Sequence, residues 1–397
     1  MDAFYASVEL LRYPELRGRP VVIGGSRRDQ PGTRRDGCRH FTALREYVGR
    51  GVVTTCTYEA RAFGVHSGMG TMKAAQLAPH AVLLPTDFDE YRKYSRLFKA
   101  AVRLITPVVE DRGIDEIYID LTNVSGALDD GGRGVAEQLK ATVREATGLS
   151  CSIGVAANKL LAKICSDLDK PDGLTLLDAA GLASRIWPLP ARKVNGIGPK
   201  AEAKLAALGL HTVGDIAAAE PAWLIGRFGD SFGAWLHEAA HGRDARPVVT
   251  HSEPKAISRE TTFARDLHAV RDRAELGAIL TGLCEKLAAD LARKGYAAKA
   301  IGIKLRYDDF RIVTRDQTLA THTLDTVEIR RAAGTCLKRV DLTRRLRLVG
   351  VRAGTLARLD NLVAPRAATL PTRVAREPRS TYTLPLFDEG PDAGDAG

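Results

Sequence analysis

No stretch of this sequence approaches the roughly 18 consecutive apolar residues that a membrane span needs, and Asp2 and Glu9 stand where a secretory leader would need a basic start and an apolar run. Neither membrane insertion nor secretion is expected, and the cytoplasm is the expected compartment. The six cysteines, Cys38, Cys56, Cys151, Cys165, Cys284 and Cys336, are scattered, with no Cys-x-x-Cys pair and no histidine at zinc-ligand spacing. That argues against a zinc ribbon or a disulfide scaffold and leaves reduced thiols. Acidic residues are also short: 48 Asp and Glu face 58 Lys and Arg, for a formal net charge of +10. A basic balance alone suits ribosome-associated, membrane-surface and nucleic-acid-binding proteins alike. What is present is ample for folding: 397 residues, 45% hydrophobic and 27% charged, can build two or more ordinary cores.

The excess charge is concentrated late in the chain. Between Leu291 and Arg352 stand 15 Lys or Arg against 6 Asp or Glu, a surplus of nine, which reads as an electrostatic footprint for a polyanion. In Ile301-Gly302-Ile303-Lys304-Leu305-Arg306-Tyr307 the apolar residues take odd positions and the cations even ones, so one sheet face is core and the other basic. Arg311 and Arg315, then Arg345 and Arg347, are expected to repeat the device.

Earlier segments alternate in type. Strands are expected at Val21–Ile23, Val52–Thr55, Ile114–Leu121 and Ser150–Val155, and helices at Tyr91–Ile105, Gly134–Thr147 and Leu160–Leu168. Helices and strands mixed in this way indicate an α+β fold. Ser26–His40, with Arg27, Arg28, Arg34, Arg35, Arg39, Pro31 and Gly32, reads as a loop. Leu174–Asp244, rich in Ala and Leu, reads as an all-helical module, Ala245–Pro254 as a linker, and Leu276 to Leu291 as one face of an amphipathic helix ending near Gly295. From Ala353 onward periodicity fades and a flexible tail is expected.

Two features carry chemistry. Gly113-Ile114-Asp115-Glu116-Ile117-Tyr118-Ile119-Asp120 sets two carboxylates side by side; on a regular strand neighbours face opposite ways, so both serve one site only where the backbone turns, as at a hairpin tip. Hard divalent cations such as Mg²⁺ take such oxygens, and two-metal phosphoryl chemistry needs carboxylates from more than one segment. Val194-Asn195-Gly196-Ile197-Gly198-Pro199-Lys200, followed by Leu205, Leu208-Gly209-Leu210 and Thr212-Val213-Gly214-Asp215-Ile216, reads as a helix-hairpin-helix, whose glycines let backbone N–H groups approach a phosphate without reading sequence.

With these in view, Met1-Asp2-Ala3-Phe4-Tyr5-Ala6-Ser7-Val8-Glu9 resembles the opening of the DinB-type Y-family DNA polymerases, the DNA polymerase IV kind. Thr55-Cys56-Thr57-Tyr58-Glu59-Ala60-Arg61-Ala62-Phe63-Gly64-Val65 is similar to that family's fingers motif, Gly113–Asp120 to its second acidic motif and Lys170-Pro171-Asp172-Gly173 to its Lys-Pro-Asn/Asp-Gly. The resemblance implies a right-hand polymerase: a ferredoxin-like palm (1–3 and 87–173), small fingers (4–86), a helix-hairpin-helix thumb (174–244), a linker (245–254), a little finger (255–353) and a tail (354–397). It implies error-prone, template-directed synthesis across lesions without a proofreading nuclease. Asp115 would bind metal, Glu116 would bind metal or serve as the essential catalytic carboxylate, with two Mg²⁺ ions expected, and Thr55, Tyr58, Arg61 and Lys170 would hold the triphosphate. Tyr5 would be the steric gate against a ribose 2′-hydroxyl, with Phe4 beside it as packing. Gly196, Gly198, Lys200, Lys304, Arg306, Arg311, Arg345 and Arg347 would face DNA. Thr383-Leu384-Pro385-Leu386-Phe387 resembles a sliding-clamp peptide, with Leu384, Leu386 and Phe387 as its anchors. The expected partners are primer-template DNA, a dNTP and a bacterial clamp, with the protein itself a monomer.

The pattern departs from the family at two places. The family's first metal-binding Asp lies two residues upstream of the one matching Asp2, which falls before Met1, so the sheet is expected to lack most of a central strand. Asp2 is only a tentative ligand. Either the start is assigned at the internal Met of an Asp-Met-Asp sequence or the product is truncated, and the intact later motifs favour the former. The arginine-rich Ser26–His40 segment replaces the family's short connection, and a solvated insertion is its expected role. Two rivals stay open: a DNA-binding accessory protein that has lost catalysis, and a palm-type nucleotidyl cyclase, which has no use for Val194–Ile216.

Overall fold

In the computed structural model, which describes residues 1–127 and 129–363, the chain divides into two units, Met1–Pro254 and one beginning at Lys255. The first opens with helix α1 (Phe4–Arg12), followed by strands β1 (Val21–Gly25), β2 (Gly32–Thr33), β3 (Arg39–His40), β4 (Thr42–Ala43) and β5 (Thr55–Cys56). Helices α2 (Tyr58–Arg61) and α3 (Thr71–Leu77) lead to β6 (Val82–Pro85) and the long α4 (Phe88–Arg103). The sheet order is β4-β6-β1-β5, with β1 parallel to β6 and antiparallel to β5. Val21, Val22 and Ile23 are all fully buried because strand alternation gives each face a core. Val21 and Ile23 join Phe4, Val8 and Tyr91 on one side, while Val22 joins Cys56, Ala60 and Leu83 on the other. The segment expected to be a loop, Ser26–His40, contains a helical turn at Arg27–Asp29 and the β2–β3 ladder.

Next come the antiparallel pair β7 (Val109–Asp111) and β8 (Ile117–Ile119), then α5 (Arg133–Thr147), β9 (Ile153–Val155), α6 (Lys159–Ser166) and β10 (Leu174–Leu176), which runs parallel to β9. The strand expected over Ile114–Leu121 is shorter, because Ile114, Asp115 and Glu116 form the turn that enters β8. Leu174–Leu176 likewise leaves the helical module to pair with β9. The two ladders do not join into one sheet. A cavity of about 1190 Å³ is lined by β8 and β9, with Phe98 and Val102 of α4 and Leu139 and Val143 of α5 among its walls. Ile117, Ile119, Ile153 and Val155 are accordingly only half-buried. Met1 and Asp2 bridge the mouth of this gap, Met1 N donating to the Asp115 carbonyl at 2.8 Å and Asp2 N to the Ser150 carbonyl at 3.2 Å.

Four short helices complete the unit: α7 (Pro199–Ala206), α8 (Val213–Ala218), α9 (Pro221–Phe228) and α10 (Asp230–Ala240), around Leu205, Val213, Ile216, Leu224 and Leu236. The segment after them is strapped down at its start. Asp244 accepts from Leu160 N, and Glu110 accepts from both Val249 N and the Lys159 ammonium.

The second unit comprises β11 (Ala256–Leu267), α11 (Arg273–Lys294), β12 (Tyr296–Tyr307), β13 (Ile312–Thr323), α12 (Thr326–Leu337), β14 (Leu346–Arg358) and α13 (Leu359–Val363). Its antiparallel sheet has the order β11-β14-β12-β13, and α11 and α12 cover one face through Leu283, Leu287, Leu291, Ile329 and Cys336. Regular structure continues past the expected limit at residue 353, since β14 pairs with β12 as far as Arg358.

Candidate active site

A cavity of about 290 Å³ in the first unit gathers residues from four separate stretches of chain: Phe4 and Tyr5, Thr54 to Arg61 with Thr55 and Tyr58, Asp115, and Lys170. Each wall is set by its local structure. Tyr5 lies in the first turn of α1, its ring stacked on Tyr91 at 4.3 Å and edge-on to Phe88 at 5.9 Å. The Tyr91 hydroxyl in turn donates to the buried Glu9 at 2.7 Å. Phe4, one residue earlier, is buried against Phe98 at 6.4 Å, as its packing role requires. Thr55 is held by β5 opposite Ile23. Thr57 caps α2 and so aims Tyr58 and Arg61 from one short helix, with the Arg61 guanidinium 4.6 Å over the Tyr58 ring. The Tyr58 hydroxyl is buried without a well-formed hydrogen bond, a donor left available for a bound group.

The acidic tip is held from behind. Lys99, itself buried, donates to Asp111 at 2.8 Å and to the Gly113 carbonyl at 2.5 Å, and this fixes the turn that presents Asp115 and Glu116. A line of alternating charge then runs along α6: Glu116 to Lys163 at 2.6 Å, Lys163 to Asp167 at 3.4 Å, and Asp167 to Lys170 at 2.6 Å. Burial would lower the Lys163 pKa, but its hydrogen bond to Glu116 and the charge of Asp167 outweigh that and raise it. Burial likewise opposes ionisation of Asp167, yet Lys170 and Lys163 hold its carboxyl below the usual range. An ammonium thus supplies the positive charge that Glu116 needs, and paired oxygen donors beside it suit a hard divalent cation. Among the described residues no group of three or more His, Cys, Asp or Glu is arranged to hold a metal.

Asp2 is not placed as a metal ligand. It is buried and fully engaged, accepting from Ser152 Oγ at 2.7 Å, Ser150 Oγ at 3.0 Å and Asp172 N at 2.9 Å. Its role is to tie the start of the chain to β9 and to the Lys170–Gly173 turn, so its tentative place as a ligand is corrected here.

The impB/mucB/samB family pattern matches residues 1–167, and that family's C-terminal domain matches residues 254–364. DNA polymerase IV of Streptomyces coelicolor is 37% identical over 382 residues, covering 95% of this chain and 74% of that protein. DNA polymerase IV of Alkalilimnicola ehrlichii is 40% identical over 317 residues, covering 79% and 82%. Among solved structures, a Y-family DNA polymerase chimera superposes with a TM-score of 0.75 at 25% identity, covering 89% of this chain and 96% of that one. The chain belongs to the DinB-type Y-family of DNA polymerases. Its α+β architecture is that of the family, whose members are metal-dependent nucleotidyltransferases.

Within this Y-family chain the helix-hairpin-helix forms as its pattern predicts. Val194, Ile197, Leu205, Val213 and Ile216 are buried, and Thr212 and Asp215 cap α8 reciprocally. Gly198 precedes α7 with no side-chain cap and with open space around it, and Lys200 is exposed beside it. Gly196, at φ 121°, lies so close to Trp235 that an added Cβ would sit 2.6 Å from the indole.

The basic sheet face of the second unit needs correction. Lys304 and Arg306 do point away from α11 and α12, since Ile303 and Leu305 are core. Arg315, however, pairs directly opposite Ile303 and so faces the helices, its guanidinium donating to the Arg339 carbonyl at the end of α12. Arg311 lies over the core-side Tyr307 ring. The β12–β13 register pairs odd residues with odd, so odd positions face the helices in both strands and Arg315 takes the core side with Val313 and Leu319. Arg345 is exposed, and Arg347 occupies a bulge, its guanidinium 4.6 Å over the Phe310 ring. Arg352, opposite Gly302, belongs to the open face although the motif reading passed over it. That face is not purely cationic, for Lys304 meets Glu260 at 2.8 Å and Arg352 meets Asp316 at 3.6 Å. The proposed clamp residues Leu384, Leu386 and Phe387 lie outside the described residues.

Proposed function

We propose that this chain extends a primer by template-directed nucleotidyl transfer, with the 290 Å³ cavity as its nucleotide pocket. The supporting observation is that one small cavity collects a hydroxyl pair, a guanidinium, an ammonium and a carboxylate from stretches of chain as far apart as Tyr5, Thr54–Arg61, Asp115 and Lys170. Translesion DNA synthesis is the activity of the family to which the chain belongs. The primer 3′-oxygen forms a bond to the α-phosphorus of a dNTP as the bond to the β-phosphate oxygen breaks and pyrophosphate leaves. Thr55, Tyr58, Arg61 and Lys170 hold the triphosphate, the guanidinium as a fork and the ammonium as a point charge. Tyr5, backed by Tyr91 and Phe88, occupies the volume that a ribose 2′-hydroxyl would need.

Asp115 and Glu116 hold Mg²⁺, two ions in the full arrangement, which supply Lewis-acid activation and charge neutralisation when bound. Glu116 lines the larger cavity of about 1190 Å³ and not the nucleotide pocket, and Lys163 holds it there at 2.6 Å. Gly196, Gly198 and Lys200 bind duplex phosphates through the α7 N-terminus, and Lys304, Arg306, Arg345, Arg347 and Arg352 add backbone contacts from the second unit. A clamp contact through Leu384–Phe387, a monomeric state and a cytoplasmic location complete the proposal. No helix among the described residues is long and apolar enough to cross a membrane.

Replacing Asp115 by Ala tests the metal assignment. Primer extension should fall by at least about three orders of magnitude, roughly 4 kcal/mol of barrier, while affinity for primer-template changes less than twofold. Retained synthesis would remove Asp115 from the metal site.

A further inference from the structure

The connection between β1 and β5 is longer than the family resemblance implies, and the structure gives it order. Ser26 and Asp29 cap its first turn reciprocally, β2 pairs with β3, and β4 bonds to the outer edge of β6. Phe41 packs edge-on to Tyr13 at 5.6 Å, while the Arg39 guanidinium lies 5.2 Å from the same ring and bonds Glu15 at 3.0 Å. An exposed ion pair adds little, so the strand pairing and the ring packing are what secure the segment.

So tethered, it holds out cations that no carboxylate neutralises. Arg28 and Arg35 are exposed and make no ion pair among the described residues, Arg34 meets only His40 Nδ1 at 3.3 Å, and Arg45 meets only His80 Nδ1 at 3.1 Å. Each lies on the sheet that also carries Thr55 of the nucleotide pocket, or on the short segments joined to it.

We propose that this arginine hairpin is a second nucleic-acid surface, which grips the phosphates of the unpaired template strand before it is copied. The inference rests on the polymerase reading above. A template-directed enzyme has duplex on one side of its nucleotide pocket and single strand on the other. The helix-hairpin-helix, remote from this sheet in sequence, serves the duplex. Guanidinium forks suit phosphate oxygens. Phe41 is turned inward onto Tyr13 and offers no exposed ring for base stacking, so the grip is indifferent to sequence.

The test is salt-dependent DNA binding by the full-length chain carrying Arg28→Ser, Arg34→Ser and Arg35→Ser together. One probe is a primer-template with a long single-stranded template overhang, the other the same duplex with a one-nucleotide overhang. Three lost single-strand phosphate contacts should lower the slope of log K against log salt by about 2, with several-fold weaker binding, on the long overhang only. A matching Arg→Lys triple variant should retain most of the affinity. Unchanged slope and affinity on both probes overturns the proposal, and so does an equal loss on both, which would assign these arginines to the duplex. Extension of the one-nucleotide probe is read separately: no extension by the parent chain would sink the polymerase reading, whatever the binding shows.

Discussion

At the scale of single residues, the pocket depends on neighbours whose types carry no functional mark. Tyr5, Thr55, Tyr58, Arg61 and Lys170 were legible from motif resemblance, but Tyr91 reads in sequence as an ordinary core position of an amphipathic helix. Its stack on Tyr5 is the kind of aromatic contact that contributes about 1 kcal/mol. Tyr5→Ala should therefore admit ribonucleotides freely, while Tyr91→Ala should relax dNTP over rNTP discrimination only about fivefold, the equivalent of that 1 kcal/mol. Equal discrimination in Tyr91→Ala and the parent would show that the gate ring needs no backing. Glu9 beneath it is buried, and burial outweighs its bonds to Tyr91 and Arg12, so its pKa is raised. The sign follows by linkage: a carboxyl whose folded pKa exceeds its unfolded value contributes stability below the unfolded value and loses it as pH rises through the folded one. Glu9→Gln, which keeps an acceptor for Tyr91, should thus raise the melting temperature more at pH 8 than at pH 4. A gain no larger at pH 8 would contradict the assignment.

At the scale of elements, close backbone approach places the charged line from Glu116 to Lys170. Gly154 of β9 is packed so tightly under α6 that a Cβ would collide with the Ala162 carbonyl and the Ser166 N–H. That contact brings Lys163, on the same helix, to Glu116. Gly154→Ala should cost about 1–3 kcal/mol of stability through overpacking, and it should reduce incorporation more than duplex binding. A variant that melts lower yet incorporates at the parental rate would separate α6 from the site. Lys163 and Asp167 were not singled out in the sequence, because Lys and Asp on a short helix usually mark a solvated face. Nothing local to them says that a hairpin tip 47 residues earlier supplies their partner. The outward face of β12 was legible for the opposite reason, since alternation within one strand needs no partner. Arg315 was misplaced because its orientation depends on pairing across the β12–β13 turn.

For the molecule as a whole, the first unit leaves two ladders facing each other across a gap. The edges of β8 and β9 that border it make no strand pairing among the described residues, and the half-buried Ile117, Ile119, Ile153 and Val155 stand beside it. An apolar extended segment ending in Asp, joined ahead of Met1, would have backbone groups to pair with on both sides and side chains to cover. Such a chain should melt several degrees higher and incorporate nucleotides faster with Mg²⁺; identical melting and incorporation would show that the gap is no strand site. By itself the sequence indicated the α+β class of fold, the adjacent acidic pair and the helix-hairpin-helix spacing. All of these are written in short-range patterns of apolar spacing, turn residues and charge. Only the tertiary structure decided that Asp2 is a structural acceptor, that Tyr91 and Lys163 support the pocket, and that Arg315 faces helices. Each of those roles is set by which group from a distant segment meets the side chain, and low-dielectric burial gives that meeting its energy. A linear pattern cannot state it.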